Sequence, residues 1–403
     1  MSNSLTASFA EYMSRRMQRK YFRNAVYPII ANYEEVKGLK KGDTLNRPYR
    51  NTLTVKTVGT DGAITRQTIT DTNEALSIAT KKEVTFYIEA YDEIQTNYAT
   101  RNLYADDAGM ALKLYIDGDV LGEYDQAAST VDDGDLGGTD ALGFTLTVDN
   151  ILSVFGKARK KLDRLNIPES DRWAILSPEF CDVLYQYLAG KESTLGDSTG
   201  QNGNIGKYGG FTLYKSNGLG WSASLLMGDI ATENDTLVIA GVTFTFKATC
   251  TTAGDIDIKT TAATQATAIT TAFNNTTGYA AEVGAAATYF EVTADNRTLL
   301  EGIVASVSSA TVSFKGEGVG WVAVSETFTE DTSVFTTALE IQHNLFGQGR
   351  PIDLVIQKYP TVQPQVRSGY IGKDIINWIL LGIKTFIEGT KQIVDVQVRS
   401  ESF

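Results

Sequence analysis

TVDNILSVFGKARKKLDRLNIPESDRWAILSPEF, residues 147–180, is the stretch whose reading decides the fold. Thr147 can cap a helix, Asp149 places a negative charge in its first turn, and Val148, Ile151, Leu152, Phe155, Ala158, Leu162 and Leu165 recur at three- and four-residue steps. The spacing predicts one long amphipathic helix over 147–165, a rod of about 19 residues and ~28 Å. Lys157, Arg159, Lys160, Lys161 and Arg164 suit the negative end of its dipole, and Pro168 stops it. Trp173-Ala174-Ile175-Leu176 then reads as a buried strand, and Ser177-Pro178-Glu179 opens a second helix that ends at Gly190. No reactive group stands out in this scaffold, which reads as architecture.

The chain has 403 residues, enough for two or three cores, with ordinary hydrophobic content and only 7 prolines, as expected of a strand-rich globular protein. Cys181 and Cys250 lie far apart and no CxxC occurs, so neither a disulfide framework nor a thiolate metal site is indicated. The apolar run at 375–381 is too short to span a bilayer, so no membrane partner is expected. The net charge of -12 is uneven: between Asp229 and Asp331 thirteen acids face four bases, whereas Arg15, Arg16, Arg19, Lys20 and Arg23 make the amino-terminal stretch basic. An acidic chain with one basic end suits local contact with a polyanion rather than general nucleic-acid binding.

Leu5, Phe9, Met13 and Met17 give the first residues a helical apolar stripe beside that basic face. From Lys37 the pattern becomes period two. Leu53, Val55 and Thr57 share one face, Lys56 lies on the other, Gly59-Thr60-Asp61-Gly62 turns the chain, and a return run carrying Ile64 and Ile69 reaches Thr70. Such a polar hairpin over 51–70 owns no core and must be completed by its own body or by a neighbouring copy. A half-buried strand is expected at Val84 to Ala90, and a helix at Ala105 to Ile116, begun by Asp106-Asp107 and stopped by Asp117-Gly118. The acids of Ser129 to Asp140 lack the register of a calcium loop. The glycines of Ile205 to Asn217 run from loop into strand, the wrong order for a phosphate loop. Near Asp229 the composition shifts to Thr, Ala and acids. A hairpin about Ala240-Gly241, a helix at Ala262 to Phe273 and strands at Tyr279 to Thr293 and Ile303 to Phe314 suggest a small inserted domain, with host strand resuming at Trp321-Val322-Ala323-Val324. The single histidine, His343, has no GxSxG, HExxH or Cys partner nearby in sequence and reads as a satisfied or solvent-facing residue, and no enzyme fingerprint is present.

In its order of parts the chain resembles the major capsid proteins of tailed bacteriophages, whose fold is shared by encapsulins and the herpesvirus capsid floor. The local likenesses are Trp173 to Phe180, Ile205 to Asn217, and Trp378 to Thr385. The resemblance implies an α+β fold with an amino-terminal arm at 1–36, an extended loop at 37–83, and a peripheral domain at 84–177 whose spine is the helix about 147–165. The axial domain would take 178–228 and 319–364, interrupted by an inserted α+β domain at 229–318, with 365–403 returning as strands. It also implies a non-enzymatic subunit of hexamers and pentamers, without cofactor, metal or catalytic residue, in an icosahedral head around double-stranded DNA. Leu53, Val55, Lys56, Ile64 and Ile69 of the loop would meet a neighbouring subunit, and Arg15, Arg16, Arg19, Lys20 and Arg23 would face the interior. Only some 36 residues precede the hairpin, so a separate scaffolding protein and no cleavage are expected, together with portal and decoration partners. Some relatives join subunits by Lys–Asn isopeptide bonds; Lys56 is a candidate lysine, and no such bond is expected. The chain would reside in the virion after assembly in the host bacterial cytoplasm. An encapsulin-like cargo shell and an acidic adhesin-like surface protein are the rival readings.

Overall fold

The computed structural model describes residues 21–33, 44–90, 100–190, 206–274, 289–329, 333–335, 340–359, 363–366 and 369–399. The strand Arg172–Leu176, buried along its whole length, sits inside a ten-stranded sheet. It lies antiparallel to Ile341–Gln348 and parallel to Phe211–Lys215, and Ile341–Gln348 also pairs with Ile393–Arg399. Because side chains alternate across a strand, this sheet feeds two cores. Ala174, Leu176, Phe346 and Val394 face one side, where they meet Val154, Phe155, Ala158, Leu162, Phe180 and Leu184 of the two helices read from the opening stretch.

Those helices are Ile151–Arg164 and Pro178–Ala189. The second matches its sequence signals, since the Ser177 hydroxyl accepts from Phe180 N at 3.1 Å and proline follows at the first helical position. The first is 14 residues long and starts later than the expected 147–165. Thr147 and Asn150 bond each other reciprocally in a preceding turn, and this turn leaves Val148 and Leu152 exposed rather than on the apolar face. At its far end the chain turns through Asn166 at φ 60°, with Ile167 N donating to Leu162 O at 3.1 Å, and beyond the stop the buried Arg172 donates to the Pro168 and Ile167 carbonyls and to Asp163.

On the opposite face Trp173, Ile175, Leu345 and Ile393 join Leu112, Ile116, Val120 and Leu121, and beyond them Ile352, Leu354, Ile379 and Leu381. The latter belong to a five-stranded sheet in which the 14-residue strand Gly372–Thr385 pairs with Thr80–Glu89 on one side and with Ile352–Lys358 and Gln363–Val366 on the other. The helix packed on it is Thr100–Leu121, at 22 residues longer than Ile151–Arg164. The rod that spans this body is therefore not the helix read from 147–165, which covers the ten-stranded sheet instead. Asp117-Gly118 does not stop Thr100–Leu121, because both residues have tertiary work. Buried Asp117 Oδ1 accepts from Val26 N and Tyr27 N at 2.7 and 2.8 Å, and a Cβ on Gly118 would come within 3.0 Å of the Gly318 Cα. Asp119, in the last turn of the helix, has the sign the dipole disfavours, and burial with the charge of Glu317 pushes it up to about 6.

The Thr-rich region folds as an appended unit whose core runs from Trp221 to Phe335, wider than the expected 229–318. The hairpin Thr236–Ile239 and Val242–Lys247 turns at Ala240 and Gly241, both at positive φ, and the helix Ala262–Phe273 carries a Thr261–Thr264 capping box. Host strand does not resume at Trp321. Val324–Glu326 pairs with Leu237, Val238 and Ile239 inside the unit's own four-stranded sheet. The unit also shares strand Trp221–Leu226 with the ten-stranded sheet, so a cut at 229 passes through its core. Most of the strand expected at Tyr279 to Thr293 lies outside the described residues; Tyr289 makes an isolated bridge to Ile256.

Candidate assembly interface

The region read as a polar hairpin projects from this body as a ribbon. Its regular ladder lies outside the expected range, pairing Thr44–Arg50 with Asp71–Ser77 in register from Thr44↔Ser77 to Arg50↔Asp71. Beyond it, between 51 and 70, side chains take over from the backbone ladder. Asn51 N donates to Thr70 O at 3.0 Å, Asn51 Nδ2 to Thr68 O at 3.0 Å, and Thr54 N to Gln67 Oε1 at 2.9 Å. Gly59 N to Ala63 O at 2.9 Å closes the expected turn, with Gly62 at φ 77° where an L side chain would be strained. All residues from Asn51 to Thr70 are exposed, Lys56 among them. Leu53, Val55, Ile64 and Ile69 have relative exposures of 59, 102, 72 and 79 %. The structure thus leaves these four apolar residues uncovered along the projecting part of the ribbon.

The base of the ribbon is anchored. Arg47 binds the buried Asp353 through both prongs, at 2.8 and 3.0 Å, and its guanidinium lies 4.2 Å from the Phe386 ring centroid. Tyr49 donates to Glu388 at 2.8 Å, and Lys391, aided by this bond, holds that carboxyl below the usual range. Ile387 N bonds Glu74 at 3.2 Å, and Leu76, Ile78, Val355 and Phe386 form a small core beneath. The ribbon thus has a fixed root and an uncovered outer part.

Of the basic amino-terminal residues, Arg15, Arg16, Arg19 and Lys20 lie outside the described residues. Arg23 does not sit on a solvated basic face. Its guanidinium is turned into the body, donating to Gly318 O and, at 3.2 Å, to Leu114 O, with Asp117 3.8 Å away. A second exposed apolar set that sequence reading missed lies at the free end of the five-stranded sheet: Tyr359, Val366, Tyr370 and Ile371 are all more than half exposed. Its only sequence signal is the aromatic and aliphatic content of the connections flanking a long strand, which ordinary loops also show.

His343 is satisfied and buried. Its Nδ1 meets Asp395 Oδ2 at 2.8 Å, its Nε2 meets the Ser222 hydroxyl at 2.9 Å, and Tyr124 stacks on the ring at 3.7 Å. These are the distances of an acyl-transfer triad, but the surroundings are those of a joint. Ser222 lies in mid-strand, paired to Lys315 on one side and Ile341 on the other, not on an exposed strand-to-helix turn with free amides. The cluster ties the appended unit (Ser222) to the host strands (His343, Asp395). Three acids of the 132–140 loop are engaged locally: Asp132 and Asp133 accept from the backbone of Ala141 and Thr139, and Asp135 pairs with Lys161. Among the described residues no group of three or more His, Cys, Asp or Glu is placed to hold a metal ion, and no helix is long and apolar enough to cross a membrane.

No family model matches the sequence, and no curated protein does. Solved structures do. A chain of Mycobacterium phage Che8 superposes with a TM-score of 0.58 at 13 % identity, covering 96 % of both chains. The capsid structure of the cyanophage P-SCSP1u gives 0.55 at 11 % identity over 99 % of this chain and 95 % of that one. The mature capsid of bacteriophage PhiM1 gives 0.52 at 10 % identity over 97 % and 92 %. Nearly full coverage in both directions at identities this low shows that the chain, ribbon, sheets and helices together, has the phage-capsid fold.

Proposed function

We propose that this chain is the major subunit of a phage head, assembling as hexamers and pentamers into an icosahedral shell around double-stranded DNA. Residues 1–36 act as an arm and 37–83 as the extended loop. The body built on Thr100–Leu121 and Gly372–Thr385 is the peripheral part, the ten-stranded sheet with Ile151–Arg164 and Pro178–Ala189 the axial part, and 221–335 an inserted unit. The observation that carries this reading is the ribbon, rooted through Arg47 and Asp353 and exposing Leu53, Val55, Ile64 and Ile69 at its tip. Laid across a neighbouring copy, each of these side chains contributes about 1.5–3 kcal/mol when fully buried. Repetition of that contact around a ring gives closure without any chemical step. A separate scaffolding protein, a portal and a decoration protein are the partners this reading calls for, with Arg15, Arg16, Arg19 and Lys20 left to meet DNA or acidic neighbours inside the virion. Assembly would take place in the host bacterial cytoplasm.

Electron microscopy of the purified protein over a range of concentrations tests this. Curved or closed shells of regular subunits are expected. A population that stays monomeric at every concentration, with the scaffolding protein co-expressed as well as without it, overturns the reading.

A further inference from the structure

Two glycine-punctuated segments run side by side where the appended unit meets the host, Ser216-Asn217-Gly218-Leu219-Gly220 before strand Trp221–Leu226 and Gly316-Glu317-Gly318-Val319-Gly320 after strand Thr311–Gly316. Gly320 N donates to Leu219 O at 3.1 Å, and a Cβ on Gly320 would come within 2.5 Å of Asn217 O. The Arg23 guanidinium is seated between them. A Cβ on Gly218 would lie 1.5 Å from its Nη1 and one on Gly318 3.1 Å from its Nη2. Nη1 donates to Gly318 O and Nη2 to Leu114 O of helix Thr100–Leu121. On the same helix Asp117 faces the guanidinium at 3.8 Å with Oδ2, while its Oδ1 holds the Val26 and Tyr27 amides. One side chain from the amino-terminal segment therefore bridges the host helix and both crossing segments of the unit.

We propose that Arg23 is a latch. Seated, it holds the unit 221–335 against helix Thr100–Leu121; withdrawn with the segment that carries it, it frees the unit to move about residues 216–220 and 316–320. Three features support a device rather than a plain structural contact. The glycines supply backbone freedom on both sides of the guanidinium, with Gly318 and Gly320 at φ 72°. Among the described residues the strand ladder across the joint is short, Ser222↔Ile341 and Trp221↔Gln342, and the further ties beside it, His343 N to Gly220 O, Ser222 to His343 and Lys315 to Asp125, are few. And the fork of the guanidinium, which a lysine lacks, is what reaches two carbonyls on different elements at once. The consequence is that whatever engages residues 1–22 is felt at the appended unit, far away in sequence.

Hydrogen exchange read by mass spectrometry on the full chain tests this, comparing the natural protein with Arg23→Ala, Arg23→Lys and Gly218→Ala. Hydrogen bonds to a charged group are strong enough that their loss should raise exchange at 216–220 and 316–320 by about tenfold or more. Strands 172–176 and 236–247 should keep their protection. Gly218→Ala, which expels the guanidinium without removing it, should reproduce the Arg23→Ala pattern. Combining the two should add nothing further, and Arg23→Lys should not restore protection. Unchanged exchange at both crossing segments in Gly218→Ala and Arg23→Ala overturns the latch, as does a rise spread evenly over the whole chain.

Discussion

Arg47 grips the Asp353 carboxylate with both prongs of its guanidinium while stacking on Phe386, and this contact ties the root of the projecting ribbon to the five-stranded sheet. The two residues are 306 positions apart. Asp353 is almost fully buried whereas Arg47 is about a third exposed, so the two partners should respond unequally to replacement.

Arg47→Ala leaves a buried carboxylate without its cation and should cost about 1.5–3 kcal/mol, the range for hydrogen bonds to charged groups. Replacing Asp353 by Asn in the same background should recover part of that loss. Urea denaturation of the single and double variants measures this. Equal stability of Arg47→Ala and the natural chain would show that the other root contacts, Tyr49–Glu388, Glu74–Ile387 and the apolar base, hold the ribbon without Arg47.

Asp119 makes a pH-dependent contribution whose sign is fixed by its environment. Its folded value, about 6, stands above the ordinary ~3.9 of an aspartate because burial and Glu317 outweigh the Tyr115 hydrogen bond and Lys82. Folding therefore favours the protonated acid. The stabilisation is fully present below pH ~4, declines as pH rises through the window from ~4 to ~6, and is gone above it. Asp119→Asn should melt at a higher temperature than the natural chain at pH 7.5, and the gap should close near pH ~4. A variant no more stable than its parent at pH 7.5 contradicts this.

Excision of residues 230–317, the span that composition alone marks as an insertion, should leave an insoluble or non-cooperatively melting chain. That cut removes the partners of Trp221, Ala223 and Leu225, three buried residues of a strand that stays behind, and detaches Val324–Glu326 from its sheet. A soluble deletion variant with a sharp thermal transition would place the boundary back at 229.

How much of this was legible in the chain depends on whether the signal was local. Pro178–Ala189, Arg172–Leu176 and Ala262–Phe273 were readable because cap, proline and periodicity sit within a few residues of one another. Thr100–Leu121 was read too short because Asp117 and Gly118 look like a stop until their partners, Val26, Tyr27 and Gly318, are brought in from elsewhere. The ribbon tip was readable as a hairpin without a core, while its actual ladder, carrying Arg47, Pro48 and Arg50, has the polarity of a loop. Arg23 looked like one more charge on a basic stripe. Its true partners lie 91 and 295 residues away, which no local pattern records.

The most direct measurement places a photo-crosslinking amino acid at Val55 and mixes isotopically heavy and light protein before illumination. Mass spectrometry of the linked peptides should find heavy-to-light pairs between position 55 and the body of another copy. Links confined to one chain, or none at all in assembled material, would contradict the claim that the ribbon tip is completed by a neighbour.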